Sequence, residues 1–306
     1  MSILCVGSVA LDSVETPFGR ADRVVGGSAV YFSAAATLFA PVQVVGVVGD
    51  DYPLDQLAFL SERGADLRGV ERVDGESFFW AGRYHFDLNS RDTLETRLGV
   101  FADFQPRIPD GFRDARSVFL GNIDPVLQAD VLDQVASPDI VACDTMNYWI
   151  EGSRDAVLAL LARVRILIVN DEEIRQLAGE PNLLKAARWV QERGPEYVVV
   201  KKGEHGAILF GPEWLFFVPG YPLEEVFDPT GAGDAFAGGF MGYLDHAGSL
   251  EPHDLRLAMV YGSAMGSYAV ERFSVDRLRD LTPEHVRRRV GEFREITAFE
   301  TRVEAV

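Results

Sequence analysis

One short run of the chain combines small residues with carboxylates in a pattern suited to phosphate chemistry. Residues 228–234 read DPTGAGD and are followed by an apolar stretch with helical spacing. At a helix start, the amides of Gly231, Ala232 and Gly233 would point toward a bound anion, and glycine lets the backbone approach a phosphate closely. Asp234 in the first turn could accept the proton of an attacking hydroxyl. The run therefore predicts phosphoryl transfer to an alcohol.

A purely structural role for this run is the alternative interpretation. A glycine-rich helix start can be capped by carboxylates, in which case Asp228 and Asp234 would only favour the helix dipole. Other nucleotide-binding patterns are missing from the sequence, which has no Gly-Lys pair for a Walker A loop and no third glycine for a GxGxxG motif here. The sequence also has no HExxH metal motif.

The longer stretch DPTGAGDAFAGGF resembles the C-terminal signature of the PfkB/ribokinase family of carbohydrate and nucleoside kinases. The resemblance implies that Asp234 is the catalytic base and that the amides of residues 231–233 form the anion hole. It places Thr230 in the nucleotide site and implies a monovalent-cation site, for K⁺, near Asp228. It also implies ATP and Mg²⁺ as cofactors.

A second segment resembles the same family on the nucleotide side. Asn170 and Glu173 follow an apolar strand at 166–169 and match the positions of the family's NxxE motif. Carboxylates at the end of a strand can hold Mg²⁺ through water molecules, which would make Glu173 the magnesium residue. The same residues would also make an ordinary helix cap.

Two more segments are similar to parts of the family's nucleotide site. The strand and turn at 199–206 place Lys202 and Gly203 where they could contact ATP, and a solvated turn is the alternative. The helix predicted at 252–270 is rich in small residues. By the resemblance, Gly262 in that helix would line the adenine pocket, although such residues could equally serve helix packing.

The acceptor side is predicted near the N-terminus. By the resemblance, Asp12 after the first strand and the pair Gly26 and Gly27 before the first helix bind the acceptor, because a carboxylate can take two hydroxyls. Turn and capping roles are the alternative. Where the family signature has an Asn after the glycine pair, this chain has Tyr31, which could stack on a ring or face the core. Asn122, at the end of a strand, is a further candidate substrate residue.

Alternating polar and apolar residues at 76–100 indicate a β-ribbon with a turn at 89–92. We expect residues 13–25 and 74–101 to form a lid, and a homodimer through this ribbon is one expectation from it. The ribbon carries aromatic and basic side chains that would suit a larger acceptor such as a nucleoside: Phe79, Trp80, Arg83, Tyr84, Phe86 and Arg91. Half of a ribbon's aromatic side chains normally pack inward or against a partner.

The remaining elements alternate between short apolar runs and amphipathic ones. The predicted strands are 3–9, 42–49, 117–121, 140–144, 166–170, 197–201, 207–210 and 215–218. The predicted helices are 28–38, 54–63, 126–135, 154–163, 172–177, 183–193, 231–245, 252–270 and 283–293. This order predicts one α/β domain over residues 1–306, a ribokinase-like, three-layer, doubly wound and mostly parallel sheet with a small lid.

The bulk composition excludes several classes of function. The chain has 306 residues with a formal net charge of −18 and a sequence pI near 4.7. Nucleic acid is therefore not expected as a partner, because phosphate backbones are bound by clustered basic residues. No apolar stretch is long enough to span a bilayer. A membrane association is therefore not expected, and a cytoplasmic location is. Cys5 and Cys143 lie in apolar runs and are expected to be free, buried thiols.

These observations predict an ATP-dependent phosphotransferase that acts on a hydroxymethyl group of a sugar or sugar-like small molecule. A nucleoside kinase with the same mechanism is the first alternative. The second is a non-catalytic nucleotide or metabolite sensor that keeps the fold, against which the intact Asp234 argues. The sequence leaves the identity of the acceptor open.

Overall fold

A central sheet of apolar strands and a smaller second sheet organise the chain. The computed structural model describes residues 2–298. Its strands are β1 Ile3–Val6, β2 Ala10–Thr16, β3 Gly19–Gly26, β4 Val42–Val48, β5 Asp66–Arg72, β6 Phe78–Tyr84, β7 Arg91–Arg97, β8 Ser117–Leu120, β9 Ile140–Asp144, β10 Ile166–Asn170, β11 Tyr197–Lys201, β12 Ala207–Phe210 and β13 Leu215–Val218.

Helices lie between most of these strands and after the last one. They are α1 Ser28–Ala36, α2 Ala58–Glu62, α3 Pro125–Gln134, α4 Asn147–Gly152, α5 Arg154–Leu161, α6 Asp171–Ala178, α7 Leu183–Gln191, α8 Ala232–Ala247, α9 Pro252–Ala269, α10 Asp276–Arg279 and α11 Pro283–Thr297.

The central sheet has nine strands in the order β13-β12-β11-β10-β9-β8-β1-β4-β5. The strand pairs from β5 to β11 are parallel. The pairs β11-β12 and β12-β13 are antiparallel, so β12 alone runs opposite to the other strands. Parallel strands with helices on both faces are buried on both sides, which explains why their sequences are apolar without alternation. Their carboxyl ends meet at one edge of the sheet, where open α/β sheets form their binding crevice.

Successive residues of each central strand face two separate cores. In β1, Ile3 and Cys5 face the core formed with α1, α8, α9 and α11, whereas Leu4 and Val6 face the core formed with α3, α5, α6 and α7. The period of two along a strand produces this division. The predicted three-layer architecture is confirmed.

The second sheet, called here the small sheet, has four strands in the order β3-β2-β6-β7. It joins two antiparallel hairpins through parallel pairing of β2 with β6. The ribbon indicated at 76–100 is present as β6 and β7. Its connecting turn covers residues 85–90, slightly earlier in the chain than the turn inferred at 89–92.

Several predicted boundaries were wrong. The first strand ends at Val6 rather than at residue 9, and β2 begins at Ala10. Between them Gly7 packs closely against α1, where a Cβ on Gly7 would lie 2.6 Å from the Ser28 hydroxyl oxygen. The helix predicted at 54–63 is a 3₁₀ turn, Leu54–Leu57, followed by α2. The polar edge strand β5 and the short helices α4 and α10 were not predicted. Within residues 2–298, no helix is both long and apolar enough to cross a membrane.

Candidate active site

The site lies at the carboxyl edge of the central sheet, where three strands end in polar residues. Asp144 is the last residue of β9, Asn170 the last of β10 and Lys201 the last of β11. Asn170 and Lys201 are register partners, so parallel pairing brings their positions together. Helix α8 begins beside them, because a Cβ on Gly233 would lie 2.8 Å from Lys201 Nζ.

The start of α8 presents free backbone donors. The Ala232 amide donates to the Pro229 carbonyl, whereas in the described chain the amides of Gly231, Gly233 and Asp234 donate to no protein acceptor. Amides at a helix N-terminus together with the helix dipole attract anions. The amides predicted as an anion hole therefore lie at a helix start, with that of Ala232 engaged in the preceding turn.

Gly231 could not be another residue in this arrangement. It caps α8 with a φ of 73°, the left-handed region in which glycine is favoured. A Cβ there would also lie 2.2 Å from the ring of Tyr31. The aromatic side chain that departs from the family's pattern thus packs flat on the loop that forms the helix start.

Asp234 lies in the first turn of α8 with its carboxylate open. None of the groups described in residues 2–298 donates a hydrogen bond to it. Burial raises the pKa of Asp234 to about 7 and the charge of Asp144 adds to this, while Lys201 and Arg91 oppose the rise. A carboxyl with a pKa near neutrality and a free oxygen is suited to accept a proton.

Lys201 is the buried cation of the site. Its Nζ lies 3.3 Å from Asp144 Oδ2, and both side chains are largely shielded from solvent. Burial alone would lower the pKa of Lys201, but the charges of Asp144, Glu173 and Asp234 raise it above the ordinary value. The ammonium group is therefore held in its charged form next to the start of α8.

Asn170 and Glu173 form a reciprocal helix cap at the start of α6. The Glu173 amide donates to Asn170 Oδ1 over 2.8 Å, and the Asn170 amide donates to Glu173 Oε2 over 2.7 Å. The ordinary cap considered for these residues is therefore present. Burial first, and then the charge of Asp144, raise the pKa of Glu173 to about 7. Its Oε1 stays free of this cap.

Asp228 and Thr230 stabilise the loop before α8. Asp228 is buried, and its two oxygens accept the amides of Thr230, over 2.9 Å, and Ser274, over 3.3 Å. Burial raises the pKa of Asp228. The Thr230 hydroxyl donates to the Tyr84 hydroxyl of β6 over 3.3 Å. The loop is thus tied to the C-terminal region and to the small sheet.

Asp12 extends from β2 toward the same site. Burial, together with the charges of Asp228 and Asp234, raises its pKa to about 8, and a hydrogen bond from the Gly27 backbone opposes the rise. A Cβ on Gly26 would lie 1.9 Å from Asp12 Oδ2, so no larger residue fits there. Gly26 and Gly27 thereby leave room for the Asp12 carboxylate, with which they were predicted to bind the acceptor.

Tyr31 on α1 is almost fully buried between these acids. Its hydroxyl has no hydrogen-bond partner within the described chain. Burial raises its pKa well above the ordinary value, and the charges of Asp228, Asp12, Tyr84 and Asp234 add to the rise. The Tyr31 ring therefore belongs to the core, which was one of the two roles considered for it. Its hydroxyl is close to the polar groups that raise its pKa.

One face of the small sheet, called here the inner face, is directed at this site. Asp12 and Trp80 are partners in the parallel pairing of β2 with β6, and Tyr84 is four residues beyond Trp80, so their side chains share a face. A Cβ on Gly82 would lie 2.2 Å from the Trp80 ring. Because Gly82 has none, the indole lies flat along the sheet. Arg91 pairs with Tyr84 across β6 and β7 and belongs to the same face.

A cavity of about 360 Å³ opens beside α8, and we call it the α8 cavity. Its walls come from the turns 87–89 and 203–206, the segment 220–226 and helices α8 and α9; the lining residues include Lys201, Gly203, Gly233, Phe236, Ser263 and Gly266. Lys202 and Gly262 are outside the lining. Gly262 instead packs on Phe236, whose carbonyl oxygen would lie 3.0 Å from a Cβ at position 262.

Lys201 is the main functional candidate that sequence reasoning missed. It ends β11 at the register of Asn170, and strand pairing was the signal that could have found it. Two adjacent lysines in a sequence do not by themselves show which one belongs to the site. The structure separates the two, because Lys201 is buried against Asp144 while Lys202 lies in the turn, where its amide donates to the Gly206 carbonyl.

Asn122, after the end of β8, is hydrogen-bonded to side chains at the start of α4. Its Oδ1 accepts the Trp149 indole over 3.0 Å, and its Nδ2 donates to the Met146 sulfur over 3.0 Å. These contacts connect the end of β8 to the start of α4. The side chain is engaged with structural partners.

Comparison with known proteins identifies this fold. Two solved structures share the fold. One is a nucleoside kinase of Burkholderia thailandensis in complex with inosine, with a TM-score of 0.76 and 19% identity over 98% of this chain and 100% of that one. The other is a fructokinase of Vibrio cholerae O395 with fructose, ADP and calcium ion bound, with a TM-score of 0.76 and 18% identity over 94% of this chain and 98% of that one.

A ribokinase-like fold with an open carboxylate at a helix start is consistent with a small-molecule kinase. A cytidine kinase of Thermococcus kodakarensis is 29% identical over 256 residues, which cover 82% of this chain and 91% of the relative. The sequence model described as pfkB family carbohydrate kinase matches residues 2–279. The chain belongs to the pfkB family of carbohydrate kinases.

Proposed function

We propose that this kinase transfers the γ-phosphoryl group of ATP to a hydroxymethyl group, with Asp234 as the base. The observation that carries the proposal is the open Asp234 carboxylate in the first turn of α8, with a pKa raised to about 7 by burial, beside amides with no protein acceptor. The carboxylate would take the proton of the acceptor hydroxyl as its oxygen attacks phosphorus. The amides of Gly231 and Gly233 would stabilise the charge on the transferred group.

The α8 cavity is the proposed nucleotide site. Lys201 and Gly233 border it on the side of the acids, where the triphosphate would lie. Ser263 and Gly266 border it on α9, where the base would lie. Gly203 remains a proposed nucleotide contact, and Lys201 replaces Lys202 as the lysine proposed to contact ATP, through its phosphates. Thr230 would act through the loop that it stabilises.

Magnesium fits this site only in a water-mediated mode. Within residues 2–298, no group of three or more His, Cys, Asp and Glu side chains is arranged to hold a metal ion. Mg²⁺ commonly keeps several waters and binds through one or two carboxylates plus substrate phosphates, and Glu173 would be that carboxylate here. Bound Mg²⁺ would neutralise phosphate charge. Asp228 remains the proposed monovalent-cation residue, although backbone amides already occupy both of its oxygens.

We propose the small sheet as the lid of this site and a nucleoside as the acceptor. Asp12 would accept hydrogen bonds from vicinal ribose hydroxyls, because a carboxylate has several acceptor positions. The flat Trp80 ring beside it would stack on the base, a contact worth about 1–3 kcal/mol per base in other proteins. The similarity to a cytidine kinase supports this choice over a free sugar.

The acceptor is tested by a panel of nucleosides and free sugars assayed for phosphate transfer from Mg²⁺-ATP. We expect kcat/KM for at least one nucleoside to exceed that for ribose and fructose by about 10- to 100-fold, because only a nucleoside has a base whose stacking contributes about 1–3 kcal/mol. Turnover of sugars alone would reject the nucleoside and retain the kinase. Binding of ATP with no transfer to any acceptor would favour the sensor.

A homodimer through the small sheet also remains a proposal. Three large apolar side chains on that sheet and its turns are exposed: Phe18, Phe86 and Leu94. Burying them against a second copy would remove apolar surface from water. Light scattering at increasing protein concentration, with a Leu94→Glu variant as comparison, measures whether a dimer forms through this surface.

A further inference from the structure

One arginine of the small sheet differs from the others in its surroundings. Arg20, Arg23, Arg83 and Arg97 each lie within salt-bridge distance of a carboxylate. Over residues 2–298, Arg91 has no carboxylate within that distance, and its recorded contact is with an aromatic ring.

Arg91 is placed on the inner face by strand pairing. It begins β7 directly opposite Tyr84, and its guanidinium carbon lies 5.8 Å from the centre of the Trp80 ring. The Tyr84 hydroxyl is bonded to Thr230 in the loop before α8. Arg91 is therefore held on the side of the sheet that faces the start of α8. Arg83, one residue before Tyr84, faces the other side and pairs with Glu15.

The turn that leads into Arg91 already contacts the proposed nucleotide site. Residues 87–89 form part of the wall of the α8 cavity. Asn89 Oδ1 lies 2.7 Å from the position of a Cβ on Gly203. Arg91, two residues after this contact, is thus located between the nucleotide loop and the acceptor residues Asp12 and Trp80.

The negative charge of the site indicates what a guanidinium at this location would do. Lys201 is surrounded by Asp144, Glu173 and Asp234, so its positive charge is already shared among three acids. The charge of Arg91 also acts on Asp234. A triphosphate brings further negative charge into this acidic site. Cationic side chains that contact the transferred phosphoryl group accelerate its transfer.

We propose that Arg91 contacts the phosphoryl group while it moves from the nucleotide to the acceptor. The acceptor oxygen forms a bond to the γ-phosphorus, the bond between that phosphorus and the β,γ-bridging oxygen breaks, the hydroxyl proton goes to Asp234 and ADP leaves. The Arg91 guanidinium donates hydrogen bonds to the oxygens of the transferred group, for which its planar fork is suited. The inference rests on the proposed kinase activity and names one further residue of that site.

The test compares Arg91→Ala and Arg91→Lys with the matched control Arg83→Ala in the full-length enzyme. We expect kcat of Arg91→Ala to fall on the order of 100-fold or more, while the Kd for ADP, measured by calorimetry, stays within about threefold because ADP lacks the transferred group. Arg91→Lys should recover part of kcat. Added guanidinium at millimolar concentration should partly restore Arg91→Ala, and Arg83→Ala should keep the wild-type kcat.

Two results would overturn the assignment. In the first, kcat of Arg91→Ala stays within threefold of that of Arg83→Ala. In the second, the loss appears equally in ADP binding and guanidinium restores nothing, as expected if the side chain only supports the sheet. Thermal denaturation identifies a folding defect, in which case Arg91→Lys and Arg91→Gln are compared instead. A wild-type enzyme without transferase activity would reject the proposed function itself, which separates the two failures.

Discussion

The start of α8 and the inner face of the small sheet meet across one site, but they are built differently. The first is part of the central fold, with Asp228 buried and bonded to two backbone amides. The second is a four-stranded sheet whose outer strand β7 is largely exposed. The scaffold that would handle phosphate is buried and set by backbone geometry. The surface that would choose the acceptor is made of side chains on a smaller, more exposed element.

The difference extends to charge. Around α8, burial and neighbouring acids raise the pKa of Asp234 and of Glu173, and one buried lysine offsets them. The inner face contributes Arg91, Trp80 and Tyr84, which are suited to cations, stacking and hydrogen bonds. Chemistry and selectivity should therefore respond differently to substitution. Variants on the two sides of the site test that separation.

The strongest test of the α8 side is Asp234→Asn. We expect kcat to fall by about 10³-fold, because general base catalysis is typically worth 10²–10⁴-fold. ADP binding, measured by calorimetry, should change little, since the carboxylate is proposed to act on the acceptor hydroxyl. If the variant retained wild-type turnover, Asp234 would not be the base.

A second test separates the adjacent lysines. Lys201→Met should lower kcat with ATP by about 100-fold, because a buried charge on the phosphates is lost, whereas Lys202→Met should stay near wild type. Lys201→Met also leaves Asp144 buried without its partner, so the melting temperature should fall.

The double variant Lys201→Met, Asp144→Asn is the control for this loss of stability. It removes both charges of the pair and should regain much of the melting temperature without regaining kcat. Recovery of both quantities would show that Lys201 acts only by neutralising Asp144.

The pH dependence tests the environment of Asp234. Because its pKa is raised to about 7 and the base must be ionised, kcat/KM should fall about tenfold per pH unit below pH 7 and level off above it. In Lys201→Met this acid limb should move to higher pH, since Lys201 lowers the pKa of Asp234. A rate that is constant from pH 5 to pH 8 would contradict this assignment.

On the inner face, Gly82→Val tests the Trp80 platform. The new side chain would displace the indole, since even a Cβ would lie 2.2 Å from the ring. We expect the KM for a nucleoside to rise by about tenfold, from the loss of 1–3 kcal/mol of stacking, with little change in the KM for ATP. Ala81→Ser on the opposite face is the matched control. Equal effects on both substrates would argue against a base platform.

The smallest effect concerns stability at Asp12. Its pKa is raised from 3.8 to about 8 in the folded state, so the folded protein binds this proton more tightly than the unfolded chain. The free energy of unfolding therefore decreases as pH rises through this range. Asp12→Asn removes this dependence, so its melting temperature relative to wild type should increase by a few degrees between pH 5 and pH 8. An unchanged difference between the two melting temperatures would show that Asp12 is not perturbed.

The sequence was sufficient for the start of α8 and for the positions of most central strands along the chain. A run such as 228–234 specifies its own local geometry, because glycine permits the tight helix start and the following apolar residues specify the helix. Asn170 and Glu173 were also found from local spacing. The cap that they form is itself a local interaction over three residues.

Contacts between distant segments decided the rest. The choice of Lys201 over Lys202 depends on strand register, and the absence of Gly262 from the lining of the α8 cavity depends on how α9 packs against Phe236. The packing of Tyr31 on Gly231 joins residues 200 positions apart, which no local pattern can reveal. The same holds for Arg91, whose neighbours in the sequence resemble those of any surface arginine.

The sequence by itself therefore determined the fold class, the helix start proposed to bind phosphate and the candidate base, since backbone preferences and hydrophobic periodicity act over a few residues. Only the tertiary structure decided which side chains share the site with that base and which charges remain unpaired. Burial and the positions of distant charges set these properties, as the raised pKa values of Asp12 and Asp234 illustrate.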